Sequence, residues 1–284
     1  MSVQSWNLGV REVSGLGLRR DPRSGLPEVI AISDRTTTIA RLRADGSARL
    51  RPDPPGRRAA AHHRVRGLPD DLDRAGGPQW EGVAADGAGR VVVLGERGSE
   101  LVLLSPEFGF ERRIRLRHEW EGDRQAGLEA LVLLRDGHVL AAKQRHPVRL
   151  LEFGPAGDRP IGLVPTAALP AGEAFRPPPA RELACLAGWG FADDDLRSVN
   201  DMSLQPGFLH LVSSASRRIA RIRLPATGPI RVESRWALPD AVTAGRDAKA
   251  EGLIVDDRVG VLVAVDSHRD RDNLHLLGRS WPVP

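Results

Sequence analysis

The sequence has no tyrosine, a single cysteine and only two lysines among its 284 residues. One cysteine excludes an internal disulfide, and the apolar neighbours of Cys185 predict a small buried side chain with no catalytic role. Because so little titrates between neutrality and the arginine range, an isoelectric point near 10.3 accompanies a formal net charge of only +4. The chain is therefore not a polycation.

Long hydrophobic runs are also absent. No run reaches the length of a membrane span, and the N-terminal stretch has neither a basic start nor an apolar signal core, which predicts a cytoplasmic protein without a membrane partner. Arginine is scattered through the chain and aromatic residues make up only 4% of it, so a nucleic-acid partner is disfavoured. The hydrophobic content of 41% is enough for the core of a single domain spanning residues 1–284.

The sequence does contain a motif that recurs five times. A small or acidic residue, usually followed by glycine, opens an apolar run, which is followed by a turn and a second apolar run. The opening segments are Ser14-Gly15-Leu16-Gly17-Leu18, Glu81-Gly82-Val83-Ala84-Ala85, Glu129-Ala130-Leu131-Val132-Leu133, Asp201-Met202-Ser203-Leu204-Gln205 and Glu251-Gly252-Leu253-Ile254-Val255. Such repetition indicates a repeat architecture, because one unit cannot bury its apolar face without its neighbours.

Each repeat predicts a β-hairpin followed by two further strands. Turn formers such as Asp86-Gly87 and Pro206-Gly207 separate the first two apolar runs. A third apolar run follows, and then a more polar stretch, such as residues 112–117, that alternates as an outer edge strand would. Four strands per unit around one axis predict an all-β fold, a β-propeller.

Blade number follows from the spacing of the opening residues. The short intervals, from Glu81 to Glu129 and from Asp201 to Glu251, give about 50 residues per blade. The longer intervals exceed this by about 20 residues, too few for another blade. We assign that excess to proline-punctuated loop inserts at 51–78 and 158–198, the first of them exposed and mobile. Five blades are predicted, with six as the alternative, and residues 6–10 supply the outer strand that closes the ring.

Candidate functional residues lie where the hairpins begin and end. These two positions share one edge of an antiparallel hairpin, so they fall on one face of the propeller. Counting the opening residue as position zero, four of the five copies carry a carboxylate there, namely Glu81, Glu129, Asp201 and Glu251. Near position sixteen, arginines flank these acids, namely Arg35, Arg97, Arg145 and Arg217.

Two interpretations of the acid ring stay open. Carboxylates directed at one axis repel each other unless a positive charge lies among them or their pKa values rise. Ca²⁺, which accepts six to eight oxygen ligands, is one source of that charge, with Glu81, Glu129, Asp201 and Glu251 as metal ligands. The other is a structural network in which the arginines pair with the acids and lock neighbouring blades together.

Departures from the repeat are a second source of functional candidates. The only lysines are Lys143, beside Gln144 rather than an acid, and Lys249, two residues before Glu251. In a chain that uses arginine almost everywhere, a retained ammonium indicates that a compact point charge is needed. Lys143 and the rim residue Arg145 are therefore candidate catalytic residues that hold an anionic group of a substrate.

Several segments together resemble a known family. They are Glu81-Gly82-Val83-Ala84, residues 127–131 with 142–147, Asp201-Met202-Ser203 with residues 213–219, and Ala250-Glu251-Gly252-Leu253. Over most of residues 13–277 they are similar to the SdiA-regulated family of bacterial β-propellers, and related E-G openings occur in phytase-like and gluconolactonase-type propellers. The resemblance implies the propeller fold and a calcium-associated site. The chain departs from the family pattern at Glu129-Ala130, where Glu-Gly is usual.

Two functional hypotheses from different classes follow. The first is a metal-assisted hydrolase of esters, lactones or phosphate esters, with Ca²⁺ held by the acid ring and the substrate anion held by Lys143 or a rim arginine. The second is a non-catalytic scaffold whose rim recognises a small anionic molecule or a protein partner.

Overall fold

The computed structural model describes residues 3–45, 47, 49–50, 60–73, 78–96, 99–119, 127–192, 196–243, 248–266 and 272–278. These residues form 20 β-strands, a short 3-10 helix, Arg135–Gly137, and one α-helix, α1 (Asp240–Thr243). The predicted all-β fold is confirmed. Neither helix in these ranges is long and apolar enough to cross a membrane.

The strands of the described ranges group into five four-stranded units, the blades of a β-propeller. Blade 1 consists of β2 (Val13–Arg20), β3 (Pro27–Ser33), β4 (Thr36–Arg43) and β5 (Ala61–Arg64). Blade 2 consists of β6 (Trp80–Ala85), β7 (Val91–Gly95), β8 (Glu100–Leu104) and β9 (Phe110–Arg117). Blade 3 consists of β10 (Leu128–Leu133), β11 (Val139–Lys143), β12 (Arg149–Gly154) and β13 (Glu182–Gly190).

The last two blades complete the ring. Blade 4 consists of β14 (Asp201–Gln205), β15 (Phe208–Ser213), β16 (Arg218–Arg223) and β17 (Ser234–Ala237). Blade 5 consists of β18 (Lys249–Asp256), β19 (Gly260–Asp266), β20 (Leu274–Gly278) and the N-terminal strand β1 (Gln4–Trp6). The five predicted hairpins are the first two strands of each blade, and β18 of blade 5 contacts β2 of blade 1.

The N-terminal segment closes the ring as predicted, with a shift in register. Strand β1 pairs with β20, and Trp6 lies opposite Leu274. The observed strand therefore ends at Trp6, the residue at which the predicted strand, 6–10, begins. The residues after it are held by Asn273, whose Oδ1 accepts a hydrogen bond from the Leu8 N–H at 2.9 Å and whose Nδ2 donates to the Val10 carbonyl at 2.6 Å. The buried amide thus replaces further strand pairing.

Both predicted loop inserts contain an outer strand, which corrects the assignment of 51–78 and 158–198 as loops. Strand β5 lies in the first insert and β13 in the second. Strand β13 also runs parallel to β9, with Leu183 opposite Leu116, and joins blades 2 and 3 into one eight-stranded sheet. Residues 51–59, 74–77 and 193–195 lie outside the described residues. On β13, Cys185 is exposed rather than buried as predicted.

The innermost strands approach one another closely, and this fixes the opening motif. A Cβ on Gly82 would lie 3.0 Å from the Glu129 carbonyl oxygen, and one on Gly15 would lie 3.0 Å from that of Glu81. Glycine therefore follows the opening residue because the next blade's backbone takes the space of a side chain. Apolar clusters such as Ile30, Trp80 and Val83 fill the wedge between blades 1 and 2.

Candidate functional site

Four of the five opening residues sit at β-bulges of the innermost strands. The ladder register shifts between Val13 and Gly15, between Trp80 and Gly82, between Leu128 and Ala130, and between Ala250 and Gly252. Ser14, Glu81, Glu129 and Glu251 are the residues skipped by these shifts. A bulge bends its strand and re-aims the side chain it carries. Hence three of the four predicted metal ligands are presented by the same local device.

The three glutamates interact electrostatically. Burial raises the pKa of Glu129 to about 8, and the negative charge of Glu251 adds to that rise. Burial raises the pKa of Glu251 to about 7, against the opposing charge of Lys249. The pKa of Glu81 is raised well above its usual range by burial and then by the charges of Glu129 and Glu251. At neutral pH Glu129 therefore mostly holds its proton, and Glu251 is about half protonated.

A second set of acids stands behind the first, at position fifteen of blades 2 and 5 and at the equivalent position of blade 1. Its members are Glu96, Asp266 and Asp34, whose charges raise the pKa values of the glutamates. Burial raises the pKa of Asp34 itself to about 6, and the charge of Glu12 contributes. The charges of these six carboxyl groups thus interact at one end of the axial channel, which we call the acidic end.

Asp201, the fourth predicted ligand, is arranged differently. It pairs regularly with Val212, without a bulge. Its Oδ2 accepts hydrogen bonds from the backbone N–H groups of Leu253 at 2.7 Å and Leu16 at 3.3 Å, and its Oδ1 accepts one from Met202 at 2.8 Å. This carboxylate therefore satisfies backbone donors of three blades, and it acts as a structural bridge across the channel wall.

The bridge continues along β14, where alternate residues share one face. Ser203 Oγ accepts a hydrogen bond from the Val255 N–H at 3.1 Å, and Gln205 Nε2 donates to the Val255 carbonyl. Together with Asp201, these side chains connect β14 to β18, whose axial edge has no neighbouring strand in its own blade. Sequence reasoning missed this role, although the alternation of polar residues at 201, 203 and 205 is its signal.

The predicted calcium ligands do not form a ready-made coordination set. Among the residues that the structure describes, no three histidine, cysteine, aspartate or glutamate side chains converge as a metal site would require. Asp201 is already bound to three N–H groups. The calcium site stays a prediction, and no catalytic step below depends on a metal.

The alternative arginine network is not formed in the described part of the chain either. No Lys or Arg nitrogen there lies within 4.0 Å of the carboxylates of Glu81, Glu129, Asp201 or Glu251. Arg35 pairs with Glu12 and lies 3.7 Å from Asp34, and Arg97 lies outside the described residues. Within the described ranges, Glu81, Glu129 and Glu251 are thus not paired with the arginines that the sequence predicted.

The two predicted catalytic residues lie near the acidic end but differ in their surroundings. Lys143 is buried, and its Nζ donates to the carbonyls of Arg145 at 2.5 Å, His146 at 3.3 Å and Pro147 at 3.5 Å. These bonds give the ammonium a structural task in the turn after β11. The Arg145 side chain is exposed, and its charge lowers the pKa of Glu129.

Comparison with known proteins supports the fold and leaves the activity open. No protein-family model and no curated protein matches the sequence. The structure is similar to that of a Myxococcus xanthus glutaminyl cyclase, with a TM-score of 0.58 and 14% identity over 97% of this chain and 94% of that one. Weaker similarities include a Xanthomonas campestris gluconolactonase, with a TM-score of 0.45 and 13% identity over 96% and 78% of the chains. A Staphylococcus aureus virginiamycin B lyase gives a TM-score of 0.46 and 11% identity over 98% and 99%.

Proposed function

We propose that the acidic end is the active site of an acyl-transfer enzyme that uses glutamate carboxyl groups as general acid and base. The observation that carries this proposal is the electrostatic interaction of Glu81, Glu129 and Glu251, each presented by a bulge: the charge of Glu251 raises the pKa of Glu129, and both charges raise the pKa of Glu81. Coupled carboxyl groups with pKa values near neutrality can exchange protons with a substrate at neutral pH.

The chemistry is hydrolysis of an ester or a lactone. An ionised glutamate accepts a proton from water, whose oxygen bonds to the acyl carbon, and a protonated neighbour donates its proton to the departing oxygen as the C–O bond breaks. The negative charges of Glu96, Asp266 and Asp34, which raise the pKa values of the glutamates, favour a neutral or cationic substrate. Phosphate esters and small anions, both predicted from the sequence, therefore rank below carboxylic esters.

An intramolecular variant of this reaction needs the same proton transfers. If an amine of the substrate attacks its own acyl carbon, the base accepts a proton from the amine and the acid donates one to the leaving group. The similarity in fold to a glutaminyl cyclase makes an N-terminal glutaminyl peptide a sensible member of the substrate panel. Its ammonium group also suits the charge of the acidic end.

Calcium binding is the second candidate, favoured by the mutual repulsion of the charges of Glu81, Glu129 and Glu251. A ligand that binds only the folded state stabilises it by mass action, by about 2.7 kcal/mol at a hundredfold excess over its dissociation constant. Thermal melts with Ca²⁺ and with chelator test this. Equal melting temperatures in both conditions would reject the calcium candidate and leave the metal-independent mechanism in place.

The proposed activity is tested with a panel of small esters, lactones and a glutaminyl peptide, with and without Ca²⁺. We expect Glu129→Gln to lower kcat/KM for an accepted substrate by about 10²- to 10⁴-fold. The matched control is Glu182→Gln, an acid on the outer strand β13 that pairs with Arg115 and Arg117. Saturable binding without turnover would favour the scaffold hypothesis, and full activity of Glu129→Gln would place the reaction elsewhere.

A further inference from the structure

The axial channel ends, opposite the acidic end, in a cavity of about 490 Å³. The later halves of all five innermost strands contribute to its wall, and apolar side chains such as Leu18, Ala85, Leu133, Leu204 and Ile254 line it. Small-molecule sites in proteins typically have volumes of about 300–1,000 Å³ and mostly apolar walls. The cavity therefore has the size of a ligand site, and its lining is mixed, somewhat more apolar than polar.

The sixth part of this wall is the covering segment, residues 168–172, which belongs to the second insert. Its Leu169 N–H donates to the Leu133 carbonyl at 3.2 Å. Just beyond it, the Glu173 carbonyl accepts from the Gly87 N–H at 2.7 Å, and the buried Phe175 donates its N–H to Asp86 Oδ2 at 2.9 Å. These bonds to blades 2 and 3 hold the segment as a fixed wall of the cavity.

The mouth of the cavity carries charged side chains of both signs. Arg20 and Arg258 are both exposed lining residues. Of the lining acids, Asp86 accepts hydrogen bonds from backbone N–H groups, and Asp256 Oδ1 accepts one from the Arg258 N–H at 2.8 Å. Asp257 is also exposed at this end. Hydrogen bonding does not cancel the charges of these acids, so the preference for an anionic group is local and comes from the donors of the two exposed guanidinium groups.

We propose that this cavity binds a small molecule with an apolar body and a single anionic group, at a site separate from the acidic end. The apolar body occupies the space between the innermost strands, and the anionic group lies near Arg258 and Arg20. The two sites therefore differ in the groups that meet a ligand, carboxyl groups at the acidic end and guanidinium donors here.

The test uses two fluorescent dyes and the full chain. One is anilinonaphthalene sulfonate, which has an apolar body and one negative charge, and the other is the uncharged N-phenylnaphthylamine. We expect saturable binding of both at one site. Arg258→Gln should weaken binding of the sulfonate several-fold and leave the uncharged dye unaffected, because only the first has a group for the guanidinium. Dodecanoate should displace both dyes.

Two narrowing variants locate the site. Ala171→Trp extends the covering segment over the cavity, and Ala85→Phe fills its wall, so each should lower dye affinity about tenfold or more. The matched control is Ala180→Trp, at an exposed position of the same insert that does not line the cavity. If Ala85→Phe does not fold, Ala171→Trp against Ala180→Trp decides. Absence of saturable binding in the parent, or equal affinity in the parent and the folded narrowing variants, would overturn the proposal.

Discussion

Buried glutamates occur in two regions of this propeller, in opposite electrostatic settings. In blade 1, Glu28 has a side chain with no exposed surface and accepts from Arg19 Nε at 2.7 Å, with Arg41 Nε at 3.1 Å and Arg43 Nε at 3.3 Å. Arg19 in turn donates to the carbonyls of Gly89 and Pro106. At the acidic end, Glu81, Glu129 and Glu251 have mainly other acids around them.

The comparison shows that neither residue type nor burial distinguishes a structural acid from a functional one. A buried carboxylate surrounded by guanidinium groups is held in its ionised form, and removing it leaves uncompensated charge. A buried carboxylate that has other carboxylates as neighbours gains a proton instead, and it can then act as an acid or base near neutral pH. Substitutions in the two regions should therefore have opposite effects on stability.

The largest expected effect is at Glu28. Glu28→Ala leaves Arg19, whose side chain also has no exposed surface, without its acid, and breaking a buried ion pair costs about 3–5 kcal/mol. Urea denaturation measures the free energy of unfolding. Glu182→Ala, which removes an acid from exposed ion pairs on β13, serves as the control and should cost less than about 1 kcal/mol. A loss at Glu28 no larger than the control's would remove the contrast between the regions.

The opposite sign is expected at Glu129. Its folded-state pKa of about 8 lies above its ordinary value of 4.5, so the folded state holds a proton that the unfolded state releases. Stability is then full below about pH 4.5 and falls as the pH rises toward about 8. Glu129→Gln should remove part of that loss, on the order of 2 kcal/mol at pH 9, and change nothing at pH 4.

This pH dependence is measured by urea denaturation of both proteins at pH 4, 7 and 9. The variant should be inactive and, at high pH, more stable than its parent, the trade-off typical of an active-site group. If Glu129→Gln instead destabilises the protein equally at every pH, the carboxylate is a structural acid like Glu28.

Asp201 combines features of the two regions. Its position in the repeat is that of the acid ring, but its hydrogen bonds are those of a structural residue. Asp201→Ala leaves the buried N–H groups of Leu253, Leu16 and Met202 without their acceptor, at a cost of about 1–3 kcal/mol. Ca²⁺ should not alter this cost. A loss of stability seen only in the presence of Ca²⁺ would restore Asp201 as a metal ligand.

Much of the fold was predictable because local sequence features specify each repeat. Apolar runs separated by turn residues define the hairpins, and glycine after the opening acid reflects the close approach of the next strand. The outer strands β5 and β13 were missed because an edge strand needs few apolar residues, and proline and arginine around them indicate loops. Blade closure by β1 was predictable because a ring leaves the last blade short of one strand.

The candidate site was predictable in position and less so in role. Hairpin geometry places the acids at one end, but whether an acid sits in a bulge depends on strand register, which is set by long-range packing. Burial raises the pKa values of both Glu129 and Asp201, but only Glu129 lies in a bulge, whereas Asp201 accepts backbone hydrogen bonds. The structural role of Lys143 was not predictable, because the three carbonyls that its ammonium contacts come together only in the folded turn after β11.

The smallest expected effect is at Arg145, and it separates a catalytic role from an electrostatic one. Its exposed charge lowers the pKa of Glu129, so Arg145→Gln should raise that pKa and move the basic limb of the pH–activity profile to higher pH. Unfolding free energy should change by less than about 0.5 kcal/mol, as for most exposed substitutions. Arg217→Gln is the matched control, since Arg217 is exposed at the same repeat position of blade 4, whose opening residue Asp201 is not one of the three glutamates, and it should leave the profile in place. If Arg145 instead holds an anionic part of the substrate, as the sequence predicts, its removal raises KM at every pH without moving the profile, and the acidic end must then accept anions despite its six carboxyl groups.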